Sequence, residues 1–249
     1  MNRTKISFIT VTFNAETTLQ RTLDSVAKQT LRQGVEHIII DGASNDSTLD
    51  IAHTYKKQNP DIDIIIKSEP DKGLYDAMNK GLNMAKGEFV CFLNSGDKLH
   101  SADTLEGIFV DNDTQTVGVI YGWTDIVDND GHFLRKRHHS PPENLTWKSF
   151  RKGMLVCHQS FYARRELCPM YDLRYRFSAD VDWCIKVLKE CEHQGKTTQY
   201  HAETFTDYLE EGVTTQNHKA SLKERFNIMS RHYGIVSTVW NHFLFLFRQ

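Results

Sequence analysis

No stretch of this chain reaches the roughly 20 consecutive apolar residues that a membrane span needs, so a spanning helix is excluded. Cysteine is sparse and odd in number: Cys91, Cys157, Cys168, Cys184 and Cys191, with no C-x-x-C pair. Such spacing fits reduced, structural thiols in a cytoplasmic protein rather than a disulfide framework. A large charge of one sign is also missing. The formal net charge is −2 and no long basic run occurs, which argues against nucleic acid as the main partner. The local cluster Arg135 to His139 reads as a solvated hairpin arm or as an anion or headgroup contact. No G-x-G-x-x-G follows the first strand and no G-x-x-x-x-G-K-[ST] exists, so a dinucleotide fingerprint and a P-loop are both absent. Met1 to Lys5 leads directly into a strand instead of a signal-peptide core, and there is neither an internal repeat nor a low-complexity linker.

What is present begins with an alternation. Ile6 to Thr12 is β-rich, and Ala15 to Gln29 sets Leu19, Leu23, Val26 and Ala27 on one helical face. Glu36 to Asp41, Ile62 to Ile66 and Glu88 to Leu93 are further buried strands, separated by helices over Ser47 to Gln58 and Leu74 to Ala85. Strand and helix in this rhythm predict an α/β fold with parallel pairing. The loops after the first, second and fourth strands must then open on one edge of the sheet. After Asp97 the rhythm changes. Val117 to Val127 and His132 to Arg137 flank an Asp-Gly hairpin signal, so this half is expected to be mixed or antiparallel. A strand over Val156 to Ala163, a helix over Asp180 to Cys191, an edge strand over Thr198 to Leu209 and a helix over His218 to Tyr233 stopped by Gly234 complete the reading.

The stretch Ser68 to Asp97 is the most informative, because it joins a basic turn, a helix, a buried strand and an acidic loop. A carboxylate beside a glycine at a strand's carboxyl end is where open α/β sheets place ligands and metals. Asp97 as a turn cap is the plain alternative. The turn Asp41 to Thr48 carries two carboxylates, Asp41 and Asp46, more than a tight strand-to-helix turn requires. An Asp there can accept from a base N–H or a ribose hydroxyl while helix-start N–H groups face phosphate.

Taken in order, Ile9 to Asn14, Ile38 to Thr48, Ser68 to Asp97, Val156 to Phe161, Phe177 to Asp182 and Glu211 to Thr215 resemble the inverting family 2 glycosyltransferases. The chain is most similar to the bacterial subgroup of capsule and exopolysaccharide clusters, of the colanic-acid type. The resemblance implies a GT-A (Rossmann-like) fold, a mostly parallel sheet flanked by helices, with a mixed acceptor-side half and C-terminal helices. It implies a catalytic domain over residues 1–234, divided into a nucleotide-binding half (1–99) and an acceptor half (100–234), with a hydrophobic tail at 235–249.

Carried over residue by residue, the resemblance gives Thr12 and Asn14 to the nucleotide pocket, Asp41 to the base, Ser44 and Asp46 to the ribose side, and Lys72 and Asp76 to the donor. The D-x-D element falls on Asn94-Ser95-Gly96-Asp97 and departs from the pattern. Asn94 and Ser95 stay on the donor side, while Asp97 is the acid left to touch Mg²⁺ or Mn²⁺. Asp180 matches the catalytic base, with capping of the following helix as its alternative role. His158 and Gln159 are placed at the acceptor cavity, with a satisfied buried histidine as the alternative for His158, and His218 is a further candidate for the metal or diphosphate. The Gln-x-x-Arg-Trp element of processive synthases is absent, so one sugar per acceptor is expected.

The implied partners are a nucleotide-sugar donor, with UDP favoured, and a glycan or undecaprenyl-linked saccharide acceptor; no nucleic acid is implied. Two other classes stay open: a non-catalytic sugar-nucleotide-binding protein and a sugar nucleotidyltransferase. The tail at 235–249 either packs on the domain or lies in the interface at the inner face of a bacterial membrane, giving a cytoplasmic protein with peripheral contact.

Overall fold

The computed structural model describes residues 4–110, 114–210 and 218–245. Its first half is the expected alternation: β1 (Ile6–Thr12), α1 (Leu19–Ala27), β2 (Val35–Asp41), α2 (Thr48–Gln58), β3 (Asp63–Ser68), α3 (Leu74–Met84) and β4 (Phe89–Phe92). β1 pairs in parallel with β2 and β4, and β2 with β3. β1, β2 and β4 are buried along their whole lengths, as strands covered on both faces must be. α1 begins at Leu19 rather than Ala15, because residues 14–16 spend their backbone N–H groups on the neighbouring loop.

The second half adds β5 (Lys98–Leu99), α4 (Thr104–Phe109), β6 (Val117–Val127), β7 (Phe133–Lys136), β8 (Phe161–Arg164), α5 (Ala179–His193), β9 (Thr197–Leu209), α6 (His218–Tyr233) and α7 (Ile235–Phe245). All described strands join one sheet in the order β3-β2-β1-β4-β8-β6-β9-β5, with β7 paired to β6. β8 runs antiparallel to both β4 and β6, whereas β9 is parallel to β6, so this half is mixed. β9 meets only the two-residue β5 on its other side, and over most of its length it is the sheet's edge. The strand expected from Val156 begins only at Phe161. Residues His158–Ser160 form a 3-10 turn instead, closed by Ser160 N–H to the Cys157 carbonyl at 3.0 Å.

Helices cover both faces. Leu19, Leu23 and Val26 of α1, Ala52 and Tyr55 of α2, and Ile108 and Phe109 of α4 pack with Phe8, Ile39 and Phe89 on one side. Tyr75, Met78 and Leu82 of α3 and Val181, Trp183 and Ile185 of α5 pack with Ile9, Ile40 and Phe92 on the other. The five thiols are free, four of them buried. No helix among the described residues is long and apolar enough to cross a membrane.

Gly87 sits where β4 starts, and a Cβ there would lie 2.5 Å from the Ser7 nitrogen and 2.7 Å from the Ile6 carbonyl carbon. Backbone cannot step aside as a flexible side chain can. Gly87→Ala is therefore expected to cost about 1–3 kcal/mol, read as a lower melting temperature. An unchanged melt would mean that β1 and β4 approach less closely than this.

Candidate active site

The carboxyl ends of β1, β2 and β4 open together, and their loops are stitched to one another. Asn14 N–H donates to Ser44 Oγ at 2.8 Å, and Asn45 N–H returns to Asn14 Oδ1 at 3.0 Å. Glu16 N–H donates to Asp46 Oδ2 at 3.1 Å, and Ser47 N–H to Glu16 Oε2 at 3.0 Å. This reciprocal bonding holds Asn14 at φ 46° and Ala43 at φ 63°, in the left-handed region that a residue with a Cβ enters at a cost of about 1–2 kcal/mol. Bonding of this kind fixes the shape of the two adjoining loops at the sheet edge.

Asp41 is fully buried, and both its oxygens are engaged: Oδ1 accepts Ser44 Oγ at 2.5 Å, while Oδ2 accepts Ser44 N–H at 3.0 Å and Ser68 Oγ at 2.6 Å. It fixes the loop, and a base would have to share those oxygens. Thr12 is the opposite case. Its hydroxyl is buried with no hydrogen-bond partner among the described residues. Phe13 between Thr12 and Asn14 is 64% exposed and lies against Gly42, an aromatic ring presented at the pocket edge. The signal was available in the sequence as an aromatic in the loop after the first strand, and the resemblance did not single it out. Lys72 is exposed at the start of α3, with its backbone N–H bonded to Asp76 Oδ2 at 3.0 Å.

The far side of the site is organised by the His158–Ser160 turn, whose first two residues serve different carboxylates. Gln159 is fully buried and donates Nε2–H to Asp97 Oδ2 at 2.8 Å, so it does not border a cavity. His158 Nδ1 stands 3.5 Å from Asp180 Oδ2, and its Nε2 lies 3.3 Å from Asn94 Nδ2. With the Asn94 amide donating to Nε2, the imidazole proton belongs on Nδ1 and faces Asp180. Asn94 thus sets the tautomer of the histidine that holds Asp180. Tyr75 completes the arrangement by donating its hydroxyl to Asp180 Oδ1 at 3.2 Å. Burial keeps the Tyr75 phenol far above its ordinary pKa, so it remains a donor.

Asp180 lies in the first turn of α5, after the N-cap Ser178, and its side chain keeps 15% exposure. Burial works to raise its carboxyl, but the hydrogen bond from His158, together with the charge of Arg225, outweighs burial and holds it below the ordinary range. It is ionised at neutral pH and reachable, as a base must be. Asp97 is almost completely buried, with Leu209 N–H donating to Oδ1 at 3.1 Å, and burial pushes its carboxyl up to about 6.

The position between Ser95 and Asp97 cannot restore a second acid. Gly96 has φ 100°, and a Cβ there would meet Leu209 Cδ2 at 2.9 Å. Among the described residues, the groups of metal-ligating side chains are His100 with Asp125 and Asp207, and Asp128 with Asp130 and His132; neither includes Asp97. Asp207 of the first group is already paired with Lys98 at 2.9 Å and His100 at 2.6 Å. The donor set at Asp97 is therefore one carboxylate with a spare lone pair on each oxygen. That fits a hard cation shared with diphosphate oxygens and does not fit a standing protein-only centre. The Glu211 to Thr215 element lies outside the described residues, and His218 is described only as the first residue of α6.

The family model for glycosyl transferase family 2 matches residues 7–168, which contain both stitched loops, the Asn94–Asp97 segment and the His158 turn. The chain belongs to this family. A glycosyltransferase of Mycobacterium bovis, named for PGL/p-HBAD biosynthesis, is 33% identical over 211 residues, covering 83% of this chain and 77% of its own. Among solved structures, S. aureus TarS 1-349 with UDP-GlcNAc superposes with a TM-score of 0.69 at 18% identity, covering 97% of this chain and 73% of that one. Against a longer TarS chain the match spans 40% of its length. The mannosyltransferase PcManGT of Pyrobaculum calidifontis, with GDP-Man and Mn²⁺, gives 0.61 at 17% identity over 96% of this chain and 70% of that one. These structural likenesses establish the GT-A fold for this glycosyltransferase. Asp180 lies outside the span that the family model matches.

Proposed function

We propose that this glycosyltransferase moves a sugar from a nucleoside-diphosphate donor, UDP first among the candidates, to a hydroxyl of a glycan or lipid-linked saccharide with inversion. The observation that carries the reading is Asp180, an ionised, reachable carboxylate held from two sides by His158 and Tyr75. Phe13 stacks the base, Thr12 supplies its spare hydroxyl, and Asn14, Asp41, Ser44 and Asp46 keep the nucleotide edge in shape. Lys72, Asp76 and Ser95 stand on the donor side.

In the transfer, the acceptor hydroxyl gives its proton to an Asp180 oxygen as the acceptor oxygen attacks the anomeric carbon. The bond from that carbon to the diphosphate breaks, and its electron pair leaves with the nucleoside diphosphate. Attack opposite the leaving group inverts the centre. His158 and Tyr75 hold the carboxylate in line throughout. Asp97 is the residue that would hold a Mg²⁺ or Mn²⁺ ion, which would offset charge on the departing diphosphate. The solved neighbours with UDP-GlcNAc and with GDP-Man and Mn²⁺ support a nucleotide sugar and a divalent ion in general. The name of the mycobacterial relative, a glycosyltransferase of PGL/p-HBAD biosynthesis, is compatible with a role in bacterial surface polysaccharide synthesis.

A non-catalytic binding protein is favoured by one observation, the missing carboxylates at Asn94 and Gly96. The supported base at Asp180 weighs against it. Incubation with UDP-, GDP- and TDP-sugars, saccharide acceptors and Mg²⁺ or Mn²⁺ separates the readings. Free nucleoside diphosphate from one donor class is expected. Donor binding without release would favour the binding protein, and pyrophosphate exchange the nucleotidyltransferase.

A further inference from the structure

Among the described side chains of α7, the large apolar ones face outward. Its eleven residues, Ile235–Phe245, carry no Asp, Glu, Lys or Arg. Thr238 is buried, 1% exposed with Oγ1 donating to the Gly234 carbonyl at 2.9 Å, and the Asn241 amide bonds to the Ser237 carbonyl at 2.8 Å. Ile235, Val236, Val239 and Trp240 face outward instead, Val236 at 80% and Trp240 at 60% exposure. Phe243 continues the row, its ring stacked on Trp240 with centroids 6.2 Å apart. At 3.6 residues per turn these five side chains share a stripe roughly 140° wide. A helix that serves only the domain's own core turns such a stripe inward.

A basic cluster adjoins the start of α7. Tyr233, one residue before Gly234 and α7, stacks on Trp147 with a centroid distance of 5.6 Å and an interplanar angle of 2°. Lys148, Arg151 and Lys189 stand over the Trp147 ring at 5.6, 5.9 and 4.7 Å, and Lys148 and Lys152 are exposed. Two acids reach this patch: Glu192, which accepts the Trp147 indole N–H, and Asp182, which pairs with Lys186 at 2.6 Å and with His232 at 2.7 Å. The Arg135 to His139 tract ends here too, since a Cβ on Gly153, next to Lys152, would lie 3.4 Å from His139 Nε2. α6 adds the exposed Lys219 and Lys223, while its Arg225 acts on Asp180, its Arg231 donates to the Tyr175 hydroxyl at 2.8 Å, and the oxygens of its one acid, Glu224, are spent on the N–H groups of Arg176, Phe177 and Ser178. This concentration stands out in a chain of net charge −2.

We propose that α7 lies in the interface of an anionic lipid bilayer, its apolar stripe at the level of the first acyl carbons and the basic cluster on the headgroups. At 1.5 Å per residue the helix is about 16 Å long, enough to lie in the interface and about half of what a span needs. A second copy of the chain is the poorer occupant. A two-fold contact sets each patch against itself and would bring two basic clusters together, whereas anionic headgroups neutralise one. Interfacial helices combine these features, exposed Trp and aliphatic residues beside Lys and Arg. Through Glu224, α6 also holds the segment immediately ahead of Asp180, so the bilayer contact would fix the acceptor side of the site close to the lipid surface. The docking surface, the α7 stripe with the neighbouring basic residues, does not depend on the role given to Asp180.

The test is flotation of the full chain with vesicles of phosphatidylcholine mixed with phosphatidylglycerol, against phosphatidylcholine alone. The protein is expected to float with the mixed vesicles, to be released by high salt, and to float poorly with the neutral ones. The double variant Val236→Glu and Trp240→Glu should lose at least tenfold in vesicle affinity while keeping its melting temperature and its nucleoside-diphosphate release with a soluble acceptor. Lys148→Glu with Lys152→Glu should weaken only the anionic component. No flotation of the wild type, or equal flotation of the stripe variant, would overturn the proposal. So would a wild-type dimer in sedimentation that the stripe variant dissolves.

Discussion

Asp180→Asn is expected to slow glycosyl transfer by about 10²–10⁴-fold, the usual contribution of a general base, with donor affinity and melting temperature almost unchanged. Asn keeps the size of the side chain, and its carbonyl oxygen can still accept from Tyr75 or from His158. What it lacks is basicity. Capping of α5, the other role read from the sequence, does not fall to Asp180, because Ser178 is the N-cap and Asp180 is the second residue of the helix. His158→Gln should act through Asp180 and not in its place. Losing the imidazole removes the main influence holding that carboxyl down, so the acid limb of the pH–rate profile should move to higher pH. A merely structural histidine would leave the profile where it is. Near-normal transfer by Asp180→Asn would pass the base role to another acid, with Asp182 next in line, although Asp182 is already bonded to His232 at 2.7 Å and Lys186 at 2.6 Å.

Asp97→Asn is expected to remove the divalent-ion dependence of nucleoside-diphosphate binding and most of the transfer activity. It should also change how stability responds to pH. Burial raises the Asp97 carboxyl from its ordinary 3.8 to about 6, so the folded state holds this proton more tightly than the unfolded chain does. A raised pKa contributes stability that is fully present below pH 3.8 and is lost as pH climbs through about 6. The difference corresponds to about 3 kcal/mol. Asn does not titrate, so between pH 4 and pH 7 the wild type should lose about 3 kcal/mol that the variant keeps, measured by denaturant unfolding at each pH. The ionised form is the one that attracts a cation. Cation-assisted donor binding by the wild type should therefore strengthen as pH rises through about 6. If turnover and the response to Mg²⁺ and Mn²⁺ are both unchanged in Asp97→Asn, any metal lies elsewhere.

The first half of the fold was legible because β1, β2 and β4 are short runs rich in β-preferring apolar residues between polar turns, a pattern that parallel strands buried on both faces favour. The loops could be assigned to one edge for the same reason, and the start of α1 was misplaced because residues 14–16 bond across to β2's loop. The His158 turn was not legible. Nothing local in Cys-His-Gln-Ser tells that neighbouring side chains reach two different carboxylates, one 62 residues before Gln159 and one 22 residues after His158. Asn94 was read as an eroded acid, and only the three-dimensional arrangement places its amide against the His158 ring. The outward stripe of α7 was beyond periodicity as well, since a run of Val, Trp and Phe has the same period whether it faces core or lipid.

The separation of labour between Asp97 and Asp180 is tested most directly by calorimetric titration of UDP with Mn²⁺, or of whichever nucleoside diphosphate the donor screen selects, into the two Asn variants alongside wild type. Affinity should fall at least tenfold in Asp97→Asn and stay within twofold of wild type in Asp180→Asn, although the latter has lost transfer. Equal loss of affinity in both variants, or loss in Asp180→Asn alone, would contradict a donor-side Asp97 and an acceptor-side Asp180.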